Sequence, residues 1–395
     1  DMLEDINELI ENEFVVFENY NELKTIKNLF HNDKYKRDYM SVTIIPTLEC
    51  NCACFYCFER QHHIKQEDSF DWNKVTEGIL YYIEEKLPYI KTLNIAWFGG
   101  EPLLKIKEID DLSEKLIALT EKYGVDYTAS MTTNGTRLKY IPDVCNRLKK
   151  NKISNIQITL DGDREHHNQT RKYASDSQGT FEDVVKAIKI LYSEKFNVSV
   201  RINLNKKNIH TISNVFDVLE SEDLKKVKLY FGQLLDYSSG NTSEIYMNIE
   251  EFSDTIVKLY EVLKDRGFPY GMDDHYPTAA RACMACRPDS AVIDCNGNIF
   301  KCRTQTGELD KKIGNVLNPE NQTRKEAIQE INWAEWSPFE YSKCTECQFL
   351  PLCMCGCPYT LYDNDSTEPI CVEWKYITDY FVTEKIKEAI INEQD

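Results

Sequence analysis

Long apolar runs are missing from this 395-residue chain: nowhere do about 18 apolar residues follow one another, so no membrane-spanning helix is expected. No charged start leads into an apolar core and a small-residue cleavage site, which excludes a recognisable secretory signal. Basic residues are in deficit. The 47 Lys and Arg stand against 65 Asp and Glu, a formal −18, which argues against nucleic acid or an anionic membrane as partner because like-charged surfaces repel. No internal repeat or low-complexity tract is evident, and position 1 is Asp rather than an initiator Met, so the reading leaves the N-terminus open. The expectation is a cytoplasmic globular protein, and 42% hydrophobic residues can build a large core.

What the chain does have is cysteine, 15 in all. Without a secretory signal these read as metal ligands rather than disulfides, since cytosolic thiols are kept reduced. Their placement is uneven. Cys50, Cys52, Cys54 and Cys57 crowd into ECNCACFYCFE, Cys145 stands alone, and ten fall between Cys283 and Cys371. Two separate metal regions are implied.

Strand-like runs start at Ser41 (SVTII), Leu93 (LNIAWF), Asp126 (DYTASMTTN), Asn155 (NIQITL), Asn197 (NVSVRINL) and Val227 (VKLYFG). Between most of them lie stretches with apolar residues at three- and four-residue intervals, such as WNKVTEGILYYIEEKL and TFEDVVKAIKILYSEK. Six strands alternating with helices predict an α/β fold with a parallel sheet, as a full or partial barrel or an open doubly wound sheet. In each, ligands sit at the C-terminal strand ends, and the first cysteine stretch follows the first strand. Three segments are expected: residues 1–40, a short strand EFVVF between helices that forms a cap or part of a leader-binding segment; a barrel over 41–270; and a cysteine-rich domain over 271–395.

The spacing at Cys50, Cys54 and Cys57 is C-x3-C-x2-C. A tetrahedral zinc site or a closed cluster wants four protein ligands, so a trio on a loop suggests a cluster with one iron left open. The alternative is a zinc knot that adds Cys52, but zinc spacings rarely place four ligands in eight residues.

C-x3-C-x-aromatic-C after the first strand of a βα repeat resembles the signature of the radical S-adenosylmethionine (SAM) enzymes. The resemblance implies a partial (β/α)6 TIM-like barrel. It implies three thiolates holding a 4Fe-4S cluster whose open iron chelates SAM, with cleavage giving a 5′-deoxyadenosyl radical that takes hydrogen from substrate. Cys52 is then a bystander, and Tyr56 lies where the family sets an aromatic residue against adenine. WFGGEP, with Gly99, Gly100, Glu101 and Pro102, looks like the family's GGEP: the glycines admit backbone close to a ligand, and Glu101 offers an anion to an ammonium. TTNGT gives Asn134. QITLDG gives Thr159, two before the Asp-Gly. The usual His-Asp-x-x-Arg continuation appears as His167, Asn168 and Arg171, with Arg171 a carboxylate partner. Strand-end capping is the alternative for Asn134, Thr159 and Arg171.

The later cysteines read C-x10-G-x4-C (Cys286, Gly297, Cys302) and C-x2-C-x5-C-x3-C (Cys344, Cys347, Cys353, Cys357), then Cys371. This resembles the SPASM extension of radical enzymes that modify peptides, and implies two auxiliary 4Fe-4S clusters, three in all. The distal one takes Cys344, Cys347, Cys353 and Cys371. The proximal one takes Cys286, Cys302 and Cys357 with Cys283 as fourth ligand, leaving Cys295 and Cys355 spare. A zinc ribbon is the alternative.

Two related activities follow from the resemblance. One is a maturase that crosslinks a ribosomally made precursor peptide, most economically through a Cys thioether. The other is an anaerobic sulfatase-maturing enzyme. An electron carrier without radical chemistry is a third reading, but it leaves GGEP and Thr159 unexplained. The sulfatase-maturing family sets an Asp after the second cysteine of C-x10-G-x4-C as a base, whereas this chain has Arg303, a very poor base at neutral pH. The expected partners are a precursor peptide and a low-potential electron donor such as ferredoxin or flavodoxin.

Overall fold

Runs in which every second residue is apolar become strands with one buried face, and six of them lie side by side. In the computed structural model, which describes residues 2–11, 15–61, 71–235, 244–269, 282–354, 356–362 and 368–392, these are β1 (Tyr39–Ile44), β2 (Thr92–Trp97), β3 (Asp126–Thr133), β4 (Ile153–Thr159), β5 (Asn197–Leu204) and β6 (Lys228–Gln233). All five pairings between consecutive strands are parallel. Each crossover carries a helix: Trp72–Glu84, Ile106–Tyr123, Val144–Lys150, Phe181–Ser193 and Ile212–Ser221. The apolar strand faces (Met40, Val42, Ile44; Leu93, Ile95, Trp97; Val198, Val200, Ile202) join the helices' inner faces in one large core. The opposite faces carry Thr132, Gln157, Thr159, Arg201, Asn203 and Gln233, so the concave side is polar.

The sheet does not close. Its order is β6-β5-β4-β3-β2-β1-β7-β8-β9, so beyond β1 it runs on into the cysteine-rich part. β7 (Ser290–Ile293) lies parallel to β1, with Ser41 opposite Ser290, and β8 (Asn298–Phe300) and β9 (Gly314–Asn315) follow antiparallel. The CNGN turn joins β7 to β8 and needs Gly297, whose φ is 78°.

EFVVF is not the strand the sequence suggested. Its described part, Val15 to Phe17, is irregular and exposed, and the Val15 amide donates to the Leu9 carbonyl at 3.2 Å. The helix Glu22–Tyr35 packs on the cysteine-rich part: Phe30 is buried among Ala282, Cys344, Leu350, Met354 and Leu361. Lys34 Nζ also donates to the Trp336 carbonyl at 2.7 Å. The helix Trp374–Asn392 lies against the helix Ile249–Asp265, with Phe381 fully buried on Tyr260.

Candidate active site

The C-terminal strand ends enclose a cavity of about 330 Å³, and Cys50, Cys54 and Cys57 all line it. Their loop is pinned from two sides. The Ala53 amide donates to the Lys172 carbonyl at 2.7 Å and the Ala174 amide to the Asn51 carbonyl at 2.9 Å. From β3, Asn134 Nδ2 donates to Asn51 Oδ1 at 3.0 Å and reaches Cys50 Sγ at 3.7 Å, while the Cys52 amide meets the same sulfur at 3.4 Å. The Cys50 thiol is held well above its usual range, first by its hydrogen bond with Cys52 and then by burial. Burial pushes Cys54 up to about 11, opposed by the Arg171 guanidinium. Cys52 itself is 3% exposed.

The glycines of GGEP do something other than expected. A Cβ on Gly100 would stand 2.1 Å from the Glu49 carbonyl oxygen, and one on Gly99 2.5 Å from the Ile45 side chain. The close approach they permit is thus to the cysteine loop, though both also line the cavity. Glu101 and Pro102 do not line it. Glu101 is fully buried, and its carboxylate accepts from the Leu103 amide (2.9 Å), the Thr133 hydroxyl (2.7 Å) and the Asn134 amide (2.7 Å). Burial raises its pKa, those three donors opposing. The anion read as an offer to an ammonium is spent on the chain, tying the end of β2 to that of β3.

On the β4 and β5 side, Thr159, Tyr56 and Arg171 line the cavity. The Tyr56 hydroxyl donates to Asp161 Oδ2 and accepts from Arg171 Nη1 at 2.6 Å and Asn203 Nδ2 at 3.2 Å. Arg171 Nη1 stands 3.7 Å from Asp161 Oδ2, so the carboxylate it meets belongs to this chain. Burial raises the Asp161 carboxyl, with Arg171 and then Tyr56 opposing. Buried His167 is driven toward the neutral form by desolvation. Its Nδ1 accepts from the Asp161 amide at 3.2 Å and so holds that turn. Asn168, where an Asp was usual, accepts from the Phe181 amide at 3.0 Å. Sequence reading missed Asp161, Arg201, Asn203 and Glu59. Arg201 and Asn203 alternate on β5 near its end, the one signal that could have marked them.

On the opposite side stand Phe58, Glu59, Phe98, Arg303 and Thr304. Phe58 stacks on Phe98 with centroids 6.4 Å apart, and the Arg303 guanidinium lies 4.8 Å from the Phe98 centroid. Glu59 is 8% exposed and its Oε1 is buried without a hydrogen-bond partner. Burial pushes its carboxyl up to about 8, with Arg303 opposing.

Away from this cavity the later cysteines gather in two groups. Burial pushes Cys302 up to about 11, helped by nearby Cys283 and Cys357, while Cys283 is drawn down to about 7, first by its hydrogen bond with Cys286. Those four thiols therefore feel one another. Cys344, Cys347, Cys353 and Cys371 line a second, small cavity of about 40 Å³, with Lys375 Nζ 4.0 Å from Cys371 Sγ. Cys295 is buried at the hairpin turn and Cys145 is half-buried on the helix Val144–Lys150, while Cys355 lies outside the described residues. Among the described residues no three His, Cys, Asp or Glu side chains meet where one metal ion would sit. A 4Fe-4S cube takes one thiolate per iron, so its ligands stand apart.

Residues 44–219 match the radical SAM superfamily. This part of the chain is a radical SAM domain. Such domains use a 4Fe-4S cluster and SAM, and a thiol trio on a polar cavity, with amide groups on one sulfur, is a donor set that fits them. The chain is 26% identical over 226 residues to the Fe-coproporphyrin III synthase of Methanosarcina barkeri, covering 56% of this chain and 52% of that protein. The match thus spans about half of that relative. The cysteine-type anaerobic sulfatase-maturating enzyme of Clostridium novyi is 24% identical over 350 residues, 80% of this chain and 87% of that protein. Among solved structures, anSMEcpe with bound AdoMet superposes with TM-score 0.66 at 20% identity, covering 87% of this chain and 98% of that one. Streptococcus suis SuiB bound to its precursor peptide SuiA gives 0.58 at 14%, covering 93% and 86%. At those identities the likeness shows the radical SAM fold, extended past the domain itself. No helix of the described residues is long and apolar enough to cross a membrane.

Proposed function

We propose that the protein is a radical SAM maturase that crosslinks a ribosomally made peptide, most economically by joining a Cys sulfur to a carbon as a thioether. Cys50, Cys54 and Cys57 would hold the SAM-binding cluster, which with SAM supplies hydrogen-atom abstraction. Tyr56, Gly99, Gly100, Asn134, Thr159 and Arg171 would form the walls around SAM, with Glu101 and Pro102 bracing them from behind. Two further clusters would take Cys283, Cys286, Cys302 and Cys357, and Cys344, Cys347, Cys353 and Cys371, within a cysteine-rich domain beyond about residue 270.

The observation that carries the choice is Arg303. It lines the cavity beside Phe98, where a sulfatase-maturing enzyme would need a base, and guanidinium holds its proton at neutral pH. Crosslinking asks for no base at that position. The similarity to sulfatase-maturating enzymes over 80% and 78% of the chain supports the second reading, formylglycine formation. The SuiA complex supports the first as an analogy of fold.

Mass spectrometry separates the two. With its cognate Cys-containing precursor the holoenzyme should yield peptide lighter by about two hydrogens per crosslink, resistant to iodoacetamide at the joined Cys. A hydrazide-reactive aldehyde on a sulfatase-derived Cys peptide would overturn the choice.

A further inference from the structure

Two groups on the Phe98 side of the cavity are unspent. Glu59 is more than nine-tenths buried, yet among the described residues its Oε1 has no donor. A buried carboxylate oxygen left so is costly, and in native proteins such atoms nearly always have a partner. Arg303 is exposed, rests on the Phe98 ring, and among the described residues its guanidinium makes no hydrogen bond or ion pair. Both line the same cavity, and among the described residues they form no ion pair with each other. They come from distant parts of the chain, Glu59 just after Cys57 and Arg303 just after Cys302, and Phe58 and Phe98 form an apolar floor at the same place.

The Glu59 carboxyl and the Arg303 fork line one cavity over an aromatic floor, and together they call for a group that donates at one end and accepts at the other. A substrate carboxylate would pair with Arg303 but bring no N–H to Glu59, and a substrate ammonium would meet the Arg303 cation. A peptide bond, with N–H and C=O pointing opposite ways and no net charge, satisfies both. We propose that Glu59 and Arg303 clamp one peptide bond of the substrate across Phe98, Glu59 accepting its N–H and Arg303 donating to its C=O. The clamp rests on the peptide-substrate reading. It lies at the β2 and cysteine-rich side of the cavity, while Tyr56, Thr159 and Arg171 occupy the β4 and β5 side. Both residues act as positioning groups: they fix which peptide unit lies over the floor.

The test is binding, measured by fluorescence anisotropy on anaerobically reconstituted full-length protein with SAM present. The probes are labelled Cys-centred synthetic peptides, each plain and N-methylated at the bonds flanking the Cys. A buried donor or acceptor left without its partner costs enough that Glu59→Leu and Arg303→Met should each weaken plain-peptide binding about tenfold. Glu59→Gln keeps an acceptor and should stay within about threefold of the native protein. N-methylation should weaken binding to the native protein and add nothing to the Glu59→Leu loss. Iron content and SAM affinity are measured on every variant. Undiminished peptide binding by both Glu59→Leu and Arg303→Met, with iron intact, overturns the clamp and leaves the maturase reading standing. Loss of SAM affinity rather than peptide affinity in Glu59→Leu assigns the carboxylate to the cosubstrate and also overturns it. Failure of every Cys peptide to bind native protein that binds SAM sinks the peptide reading, and the clamp with it.

Discussion

Glu101 braces the cavity wall from within the fold. Its two oxygens take three donors from the β2 and β3 ends, inside a wall on which SAM is proposed to rest. Glu101→Gln keeps the shape but turns an NH2 group toward at least one of those donors. It should cost the metal-free protein about 1–3 kcal/mol, read as a shift of the urea midpoint at unchanged slope. Cys50, Cys54, Cys57, Tyr56, Thr159 and Arg171 could be picked out because the family resemblance names their positions, and the fold sets them around one cavity. Glu59 could not, since one Glu two places after a ligand forms no pattern, and its isolation depends on which atoms fail to reach it. The triplet GGE gives the position of Glu101, while two of its three donors, the Thr133 hydroxyl and the Asn134 amide, come from about 30 residues further on and only the fold brings them near.

At the scale of elements, Gly78 joins the barrel to the hairpin region. It lies in the helix Trp72–Glu84, where alanine would ordinarily gain about 1 kcal/mol of helix propensity. Here a Cβ would stand 2.6 Å from the backbone oxygen of Val316, just after β9, and backbone cannot swing aside. Overpacking of this kind costs about 1–3 kcal/mol, so Gly78→Ala should leave the protein less stable, with the thermal midpoint lowered; a raised midpoint would contradict the packing. The C-terminal helix offers a pH test. Glu384 is gripped by Lys264 and by Lys387, and these hydrogen bonds, Lys264 first, hold its carboxyl below the usual 4.5. A depressed carboxyl contributes stability above its unfolded value and loses it as pH falls through the folded one. Glu384→Gln should therefore cost less than about 1 kcal/mol near neutral pH, still less in high salt, and nothing in strong acid, as measured by denaturant titration. The helices and parallel strands were legible because their periods are long and regular. The β7–β8 hairpin was not among the expected strands, for four-residue and three-residue strands carry too little alternation, and pairing with β1 is a contact across about 250 positions.

For the whole molecule the claim is one of metal content. Three clusters require about 12 irons in the reconstituted protein. Replacing Cys50, Cys54 and Cys57 together by Ala should remove about four while leaving the fold, measured by iron assay and circular dichroism. Loss of all iron, or zinc in its place, would break the assignment. The helix Glu22–Tyr35 also acts at this scale. The sequence suggested a cap or leader-binding piece, and Phe30 and Lys34 tie the helix to the cysteine-rich part, so its deletion should loosen that region before the six-stranded part.

The seat of β1 between β2 and β7 has a consequence for how the protein is made. Until residue 290 has left the ribosome, one side of β1 offers open amides and carbonyls, with apolar Met40, Val42 and Ile44 along the same strand. An unfinished or truncated chain is then a template for strand addition by its own copies, and the hairpin that bears Cys302 also seals that edge as synthesis ends.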